Sequence, residues 1–572
     1  MKRFIKKIYL ISLIIISFSY YTESLSKESK ISYSSDSISN YFSGIISAKN
    51  NNSSNAFKHL KKIQHLKESH SNYNIQFLRT LVLLKKFDQA YNFLKSLKSK
   101  EHLFFEADLI LGLHYFNNKD FTEARKHFSK LNKMRGDVIG FQDLFGNILM
   151  AWTKAAEYKK DDSFELINKI PNRYLHLKKI QNSFLNCYFD TAETQTTFTE
   201  LIDNKDYDFS RYNFFLINYL ISKNKNLDAK KIILESRKKH DTNLLLKETE
   251  NFFINKKENK ITDFFNCKNA KNPIAEFFYI IANLYSHEEN YEKSNFYLNI
   301  ALFLNSHFLP NKALMAENLY YQKKYIPSKN LYISIKSIGP AYSWFSSKNI
   351  AAIFLQTKSK EESVSSLKKD FNSIKNPSFF HYYELANFYK DNEYFKDSIK
   401  YYSLALKNIN LDHHLVPKIL DRRGTSYERI GEWEKAEKDL TNSLEILPDE
   451  PYVLNYLAYS WIEKRINLEK SLEMLKRATN LKKNDGYIID SLGWGYYVTK
   501  DYVQAAKFLQ LAVKLKPQDP IINDHYADAL WMLNKNIQAR YVWKYVLTLD
   551  GVEKKLIKSV NHKLTFGINN KL

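Results

Sequence analysis

The stretch from Gly486 to Asp519, GYIIDSLGWGYYVTKDYVQAAKFLQLAVKLKPQD, decides the fold of this chain. Small and apolar residues recur in it at helical spacing on both sides of a polar turn at Lys500-Asp501, which predicts two antiparallel helices. Their facing residues are Leu492, Gly493 and Tyr496 in the first helix, and Ala505, Leu509 and Ala512 in the second. One such hairpin cannot bury its own apolar faces, so neighbouring hairpins must complete the core.

Copies of this pattern flank the stretch at a period of 34 or 35 residues. The period and the closing Pro517 are typical of the tetratricopeptide repeat (TPR), which the unit resembles. The matching positions are Gly424, Tyr427, Ala436, Leu440 and Ser443, then Leu457, Ala458, Trp461, Ser471, Leu475 and Ala478, and then Ala527, Leu530, Ala539 and Trp543. The resemblance implies an all-α fold, an α-solenoid or superhelix of stacked antiparallel TPR helix hairpins.

Weaker copies extend the pattern toward the N-terminus, with looser spacing between about residues 161 and 210. We expect about 13 to 15 hairpins in all. The clearer positions are Gly44, Ala56 and Leu60, then Gly112, Tyr115, Ala124 and Phe128, then Ala282, Tyr285, Ser294 and Leu298, and then Leu385, Ala386 and Tyr389. Only 13 Gly and 11 Pro occur in 572 residues, beside 40 Tyr and 39 Phe, so the composition also favours helices throughout.

The first residues have the pattern of a secretory signal peptide. Basic residues precede an apolar run from Ile8 to Tyr21, and Ser24-Leu25-Ser26 offers small residues for cleavage. We expect export to the periplasm, with tethering to the inner membrane if the signal stays uncleaved. The predicted segments are the signal peptide 1–26, a disordered linker 27–36, degenerate N-terminal TPR-like hairpins 37–274, central TPR repeats 275–412, C-terminal TPR repeats 417–553 and a capping helix 554–572.

The resemblance goes beyond the generic repeat. The segment from Asp421 to Leu549, with DEPYVLNYLAYSW, NDGYIIDSLGWGYY and DPIINDHYADALW, resembles the C-terminal part of a family of exported TPR proteins of Gram-negative bacteria. The segment from Asn272 to Leu304 is similar to a central block of that family. Two residues depart from the pattern: Arg423 stands where Leu is usual, and Lys483 where Pro is usual.

Motifs for catalysis, metals or cofactors are not found in the sequence. It contains no HExxH zinc motif, no phosphate-binding glycine loop and no CxxC pair. Ser491, His525 and Asp490 could be imagined as a hydrolytic group on adjacent hairpins, but nothing indicates a nucleophile turn. We therefore predict no enzyme activity, no cofactor and no metal. Cys187 and Cys267 lie 80 residues apart. Two hairpins or more separate them along a solenoid, which usually means tens of ångströms, so we expect free, buried packing residues.

The net charge of +24 is unevenly placed. Residues 417–553 contain 20 basic and 20 acidic residues, so the excess lies in residues 1–416 and in the tail. Such an excess could attract nucleic acid or an anionic membrane. Export argues against nucleic acid, and we expect a solvated lysine-rich surface with at most weak contact to anionic lipid.

The strongest functional signal is an aromatic and polar inner face in the C-terminal repeats. In this architecture the second, fifth, ninth and twelfth residues of each first helix line the concave groove. Aromatic rings beside Asn and Asp suit a peptide, because rings bury apolar side chains and polar groups hold its backbone. The predicted groove residues are Tyr452, Asn455, Tyr459, Tyr487, Asp490, Trp494, Tyr497, Asp524, Asp528 and Trp531.

Three functions follow as hypotheses. The first is a non-catalytic scaffold of the cell envelope that binds peptide segments of envelope proteins in this groove. The second is a structural adaptor that holds a membrane-associated complex through its convex face. The third, which the sequence favours least, is an envelope hydrolase on a helical scaffold.

Overall fold

A computed structural model of the protein describes residues 33–97, 104–132 and 144–568. Every regular element in these ranges is a helix. The α-helices are α1 Ser35–Lys49, α2 Ser53–Leu60, α3 Ser71–Leu83, α4 Phe87–Lys95, α5 Phe105–Asn117, α6 Phe121–Leu131, α7 Leu144–Ala156, α8 Lys160–Asn168, α9 Leu175–Phe189, α10 Thr194–Ile202, α11 Tyr212–Ser222, α12 Asn226–Lys239, α13 Leu244–Ile254, α14 Asn259–Phe264, α15 Lys271–His287, α16 Tyr291–Leu304, α17 Asn311–Tyr321, α18 Tyr325–Ile335, α19 Pro340–Thr357, α20 Lys360–Asn372, α21 Phe379–Asp391, α22 Phe395–Lys407, α23 Val416–Arg429, α24 Trp433–Ile446, α25 Pro451–Lys464, α26 Leu468–Leu481, α27 Gly486–Val498, α28 Tyr502–Leu515, α29 Pro520–Met532, α30 Asn536–Val546 and α31 Lys554–Phe566.

Successive helices pair as antiparallel hairpins, which confirms the predicted all-α solenoid of TPR-like units. Three short 3-10 helices lie between them, at Lys61–Glu68, Asn172–Tyr174 and Lys336–Ile338. The chain divides into two compact units, residues 1–353 and 354–572. Within the described part of the chain, no helix is both long enough and apolar enough to cross a membrane. The predicted signal peptide and residues 27–32 of the predicted linker lie outside that part, and α1 begins at Ser35.

The hairpin of α27 and α28 shows how the sequence builds each unit. Lys500 adopts a left-handed backbone with φ of 68°, which turns the chain between the helices. Asp501 then caps α28, because its carboxylate accepts a hydrogen bond of 3.1 Å from the backbone N–H of Gln504. At the helix crossing, a Cβ added to Gly493 would lie only 2.6 Å from Cγ of Leu509. The helices therefore approach closely because position 493 has no side chain.

The departure at Arg423 has a structural explanation. Its guanidinium group makes two hydrogen bonds to the carboxylate of Asp439 in the paired helix α24, at 2.6 and 2.8 Å, and a third to Ser403. Both side chains are largely buried, so the bidentate ion pair replaces the apolar contact that Leu makes in the usual repeat.

The N-terminal unit departs from simple stacking, because hairpins far apart in sequence meet. The ring of Phe87 stacks on that of Phe303, with 4.1 Å between centroids. The side chain of Asn299 in α16 donates a 3.3 Å hydrogen bond to the carbonyl of Leu83 in α3. Phe145 in α7 packs edge-on against Phe277 in α15, at 5.1 Å. Hairpins near residues 80 and 300 thus share one core.

The prediction of free cysteines is wrong. Cys187 and Cys267 form a disulfide, with their Cα atoms 5.9 Å apart, although both are buried as expected. The two residues meet because the chain folds back after the short helix α14. Asn218 in α11 donates hydrogen bonds of 2.8 Å to the carbonyls of Ile261 and Phe265, which holds this return segment against α11. The expectation of tens of ångströms assumed regular stacking, which the unit lacks here.

The C-terminal unit follows the regular arrangement more closely. The first helices of successive hairpins, α25, α27 and α29, contact one another in turn. The second helices α26, α28 and α30 lie farther apart, so the first helices line the inner side of the curve and the second helices the outer side. Helix α31 packs on α30 and buries Val560.

Candidate functional site

The predicted groove residues lie on α25, α27 and α29, the three inner helices of the last hairpins. Two of these helices, α27 and α29, begin at an aspartate cap that fixes the first turn. For α27, the carboxylate of Asp485 accepts hydrogen bonds from the backbone N–H groups of Tyr487 and Ile488, at 3.0 and 3.4 Å. For α29, Asp519 makes the equivalent contacts. These caps set the register that directs residues 487, 490, 494 and 497 to the same side.

Three aromatic rings form one stack on this face. The indole of Trp494 lies between the ring of Tyr497, with 4.7 Å between centroids, and the imidazole of His525, at 4.1 Å. The interplanar angles are 8° and 15°, so both contacts are parallel. The indole N–H donates a 2.6 Å hydrogen bond to the carboxylate of Glu463 in α25. The stack therefore joins all three inner helices in one rigid aromatic surface.

His525, one of the three stacked rings, forms a buried pair with Asp490. Nδ1 of His525 lies 3.0 and 3.1 Å from the two carboxylate oxygens of Asp490. Burial lowers the pKa of His525, but the charge and hydrogen bond of Asp490, with the charges of Asp528 and Asp524, outweigh it and raise the pKa above the usual value. An imidazolium stacked on an indole is also a favourable cation–π contact. The pair thus fixes the position of Trp494.

Asp524 and Asp528 bind a residue of the chain itself. The ammonium group of Lys563 in α31 lies 2.8 and 2.9 Å from the oxygens of Asp524 and 2.7 and 2.8 Å from those of Asp528. The indole N–H of Trp543 donates a further bond of 3.0 Å to Asp528. Burial and the neighbouring Asp524 raise the pKa of Asp528 to about 6, although Lys563 opposes the shift. These carboxylates therefore have internal partners.

Trp531 is also covered from within. A Cβ added to Gly567, just after α31, would lie 2.1 Å from the indole of Trp531, so the C-terminal segment packs directly on this ring. The guanidinium of Arg540 lies 5.5 Å from the ring centroid, and the ring of Trp543 lies 5.4 Å away. Trp531 is a packing residue of the last hairpin, and the C-terminal segment covers part of its ring.

The more open part of the face is formed by α25 and the start of α27. The side chains of Tyr452 and Tyr487 are 55% and 53% exposed. The ammonium groups of Lys482 and Lys516 lie over these rings, at 5.9 and 4.9 Å. Tyr459 and Asn455 are half-buried between these rings and the stack. Oδ1 of Asn455 has no hydrogen-bond partner within the described residues.

The site therefore has two parts with different chemistry. The exposed rings of Tyr452 and Tyr487 and the half-buried ring of Tyr459, which lie on the same inner helices as Trp494, can bury apolar side chains of a partner. The carboxylates of Asp490, Asp524 and Asp528 are already paired with His525 and Lys563, so they hold the scaffold together and form no open set of ligands for a metal ion.

Sequence reasoning did not identify Glu463, Lys563 or Gly567 as parts of this face. The i, i+4, i+8 spacing of Leu556, Val560 and Leu564 predicts the buried stripe of α31, and Lys563 lies at its edge, which is the one available signal.

The imagined hydrolytic group is assembled only in part. Asp490 and His525 pair, but the hydroxyl of Ser491 donates a 3.1 Å hydrogen bond to the carbonyl of Tyr487 in its own helix.

No protein-family model matches the chain, and no curated protein matches it either. Among solved structures, it is similar to a tetratricopeptide repeat protein from Parabacteroides merdae, with 16% identity, a TM-score of 0.33 and coverage of 39% of this chain and 86% of that one. Yeast Tom70 matches with 13% identity and a TM-score of 0.34, over 80% of this chain and 94% of the other. The C-terminal part of a TPR repeat-containing protein from Cytophaga hutchinsonii matches with 16% identity and a TM-score of 0.27, over 37% and 98%.

Proposed function

We propose that the protein is an exported, non-catalytic scaffold that binds an apolar peptide segment of an envelope protein on the inner face of α25 and α27. The observation that carries the proposal is the pair of tyrosines, Tyr452 and Tyr487, each more than half exposed near the start of an inner helix, the second of them on the helix that also holds Trp494. Exposed rings offer large contact area at low cost in side-chain entropy.

Export is supported by two independent features. The first is the N-terminal pattern of basic residues followed by the apolar run from Ile8 to Tyr21. The second is the buried disulfide between Cys187 and Cys267, because disulfides persist in oxidising compartments such as the periplasm and are rare in the reducing cytosol. Mass spectrometry of the protein from its native cells tests this part. A mature N-terminus near Lys27 and an oxidised Cys187 are expected, and a retained Met1 with reduced cysteines would contradict it.

Peptide capture is tested by photo-crosslinking in the native cell, with a photoreactive residue in place of Tyr487. We expect a discrete envelope protein to be captured, and we expect the Tyr452→Ala, Trp494→Ala variant to lose the crosslink at unchanged helicity. The matched control is Tyr207→Ala with Tyr321→Ala, two exposed tyrosines of the N-terminal unit. Equal capture by both variants would contradict the proposal.

A further inference from the structure

The outer helices of the last two hairpins, α28 and α30, differ in charge from the two outer helices that precede them, α24 and α26. Neither α28 nor α30 contains an acidic residue, and their basic side chains are all exposed. These are Lys507, Lys514, Arg540 and Lys544. The preceding outer helix α26, in contrast, exposes Glu469 and Glu473 beside its lysines. The aspartates of the last two hairpins instead lie at helix caps or on the inner face, as Asp490, Asp524 and Asp528 do.

The same outer helices expose apolar side chains at helical spacing. On α30, the residues Ile537, Tyr541 and Tyr545 stand at i, i+4 and i+8 and are 83%, 78% and 42% exposed. On α28, the exposed apolar residues are Val503, Leu511 and Leu515, which stand at i, i+8 and i+12. We call these six residues with the four basic ones the outer basic face. A single exposed apolar residue is ordinary on a protein surface. Here two neighbouring outer helices each expose three large apolar side chains, whereas the outer helix α26 exposes only Leu481.

We propose that the outer basic face docks on an anionic phospholipid surface. Lysine and arginine attract anionic headgroups, aliphatic residues enter the boundary of the acyl region, and tyrosine suits the interface because its ring is apolar and its hydroxyl polar. The absence of any carboxylate on α28 and α30 removes the repulsion that the mixed surface of α26 would meet. Docked in this way, the outer side of the C-terminal unit faces the membrane and its inner face points away from it, open to a partner.

The test uses the full chain with an environment-sensitive fluorescent residue in place of the exposed Gln538 of α30, so that the signal reports this face and not the apolar N-terminal run. The probe is a vesicle of equal parts phosphatidylglycerol and phosphatidylcholine, compared with pure phosphatidylcholine. We expect a blue shift with the anionic vesicles only, weakened by salt. The variant Lys507→Glu, Lys514→Glu, Lys544→Glu should bind at least on the order of 100-fold more weakly, since each basic residue near such a surface contributes about fivefold.

The matched control is Lys438→Glu, Lys470→Glu, Lys476→Glu, which makes the same change in net charge on the outer helices α24 and α26. It should keep most of the blue shift. Three outcomes would overturn the proposal. They are no shift with anionic vesicles, an equal loss in both triple variants, and a shift with soluble polyglutamate but not with vesicles, which would assign the face to an acidic protein.

Discussion

Replacing Lys563 by Met should destabilise the end of the solenoid, because it leaves two buried carboxylates without their cation. Nζ of Lys563 lies within 2.9 Å of four oxygens of Asp524 and Asp528, whose side chains are only 10% and 8% exposed. Removing one partner of a buried ion pair costs about 3–5 kcal/mol. Met has nearly the same length and apolar stem, so the loss of packing adds little.

The cost of this substitution should depend on pH. Protonation of the unpaired carboxylates removes the uncompensated negative charge. Lys563→Met should therefore be much closer to wild type in stability at about pH 5 than at about pH 8. A triple variant with Asp524→Asn, Asp528→Asn and Lys563→Met has no charge in the cluster, and we expect it to be less destabilised than Lys563→Met alone near neutral pH.

Hydrogen exchange of α29, α30 and α31 is the preferred assay, because a chain of two units need not unfold in one step. Urea unfolding followed by tryptophan emission supports it, since Trp531 and Trp543 lie in the cluster. The control is Lys558→Met, an exposed position of the same helix. The reasoning is refuted if Lys563→Met and Lys558→Met have the same hydrogen-exchange protection in α29, α30 and α31. It is also refuted if the loss of stability in Lys563→Met is the same at both pH values.

Three further predictions concern other parts of the chain. Gly493→Ala should cost about 1–3 kcal/mol in urea unfolding, because the new Cβ meets Leu509 at 2.6 Å, and an unchanged midpoint would show that Leu509 moves aside freely. Cys187→Ala with Cys267→Ala should cost about 2–5 kcal/mol and lower the melting temperature of the N-terminal unit, and wild type in reductant should behave like the variant. Finally, Asp528 with a pKa of about 6 and His525 with a raised pKa both bind protons more readily in the folded state. Stability of the last hairpins should therefore fall as pH rises from about 4 through 6 and beyond, and Asp528→Asn should flatten this slope; a rise with pH would contradict it.

The periodic positions made the C-terminal hairpins predictable. Gly493 and Leu509 recur in register with Gly424 and Leu440, and the same close contact between helices forms in both hairpins. The prediction succeeds because the crossing of two neighbouring helices depends only on local residues, here small residues at fixed spacing. The inner positions of Trp494 and Asp490 followed from the same register.

Contacts outside the repeat could not be predicted in the same way. The disulfide depends on a chain reversal near Phe265, where the repeat spacing gives no guide. The pairing of Lys563 depends on how α31 returns over α29, and the tail offers five lysines from which sequence alone could not choose. Because Lys563 binds both carboxylates, Asp524 and Asp528 are paired within the chain and are not open to a peptide.

The contact between Phe87 and Phe303 has a consequence for how the protein forms during synthesis. A regular solenoid can grow one hairpin at a time from any point, because its contacts are local. Here the segment near residue 85 packs against a segment 216 positions later in the chain, as the hydrogen bond between Leu83 and Asn299 shows. Long-range closure of this kind is slow and leaves apolar surface uncovered until it occurs. The first hairpins therefore complete their packing only after α16 has been made.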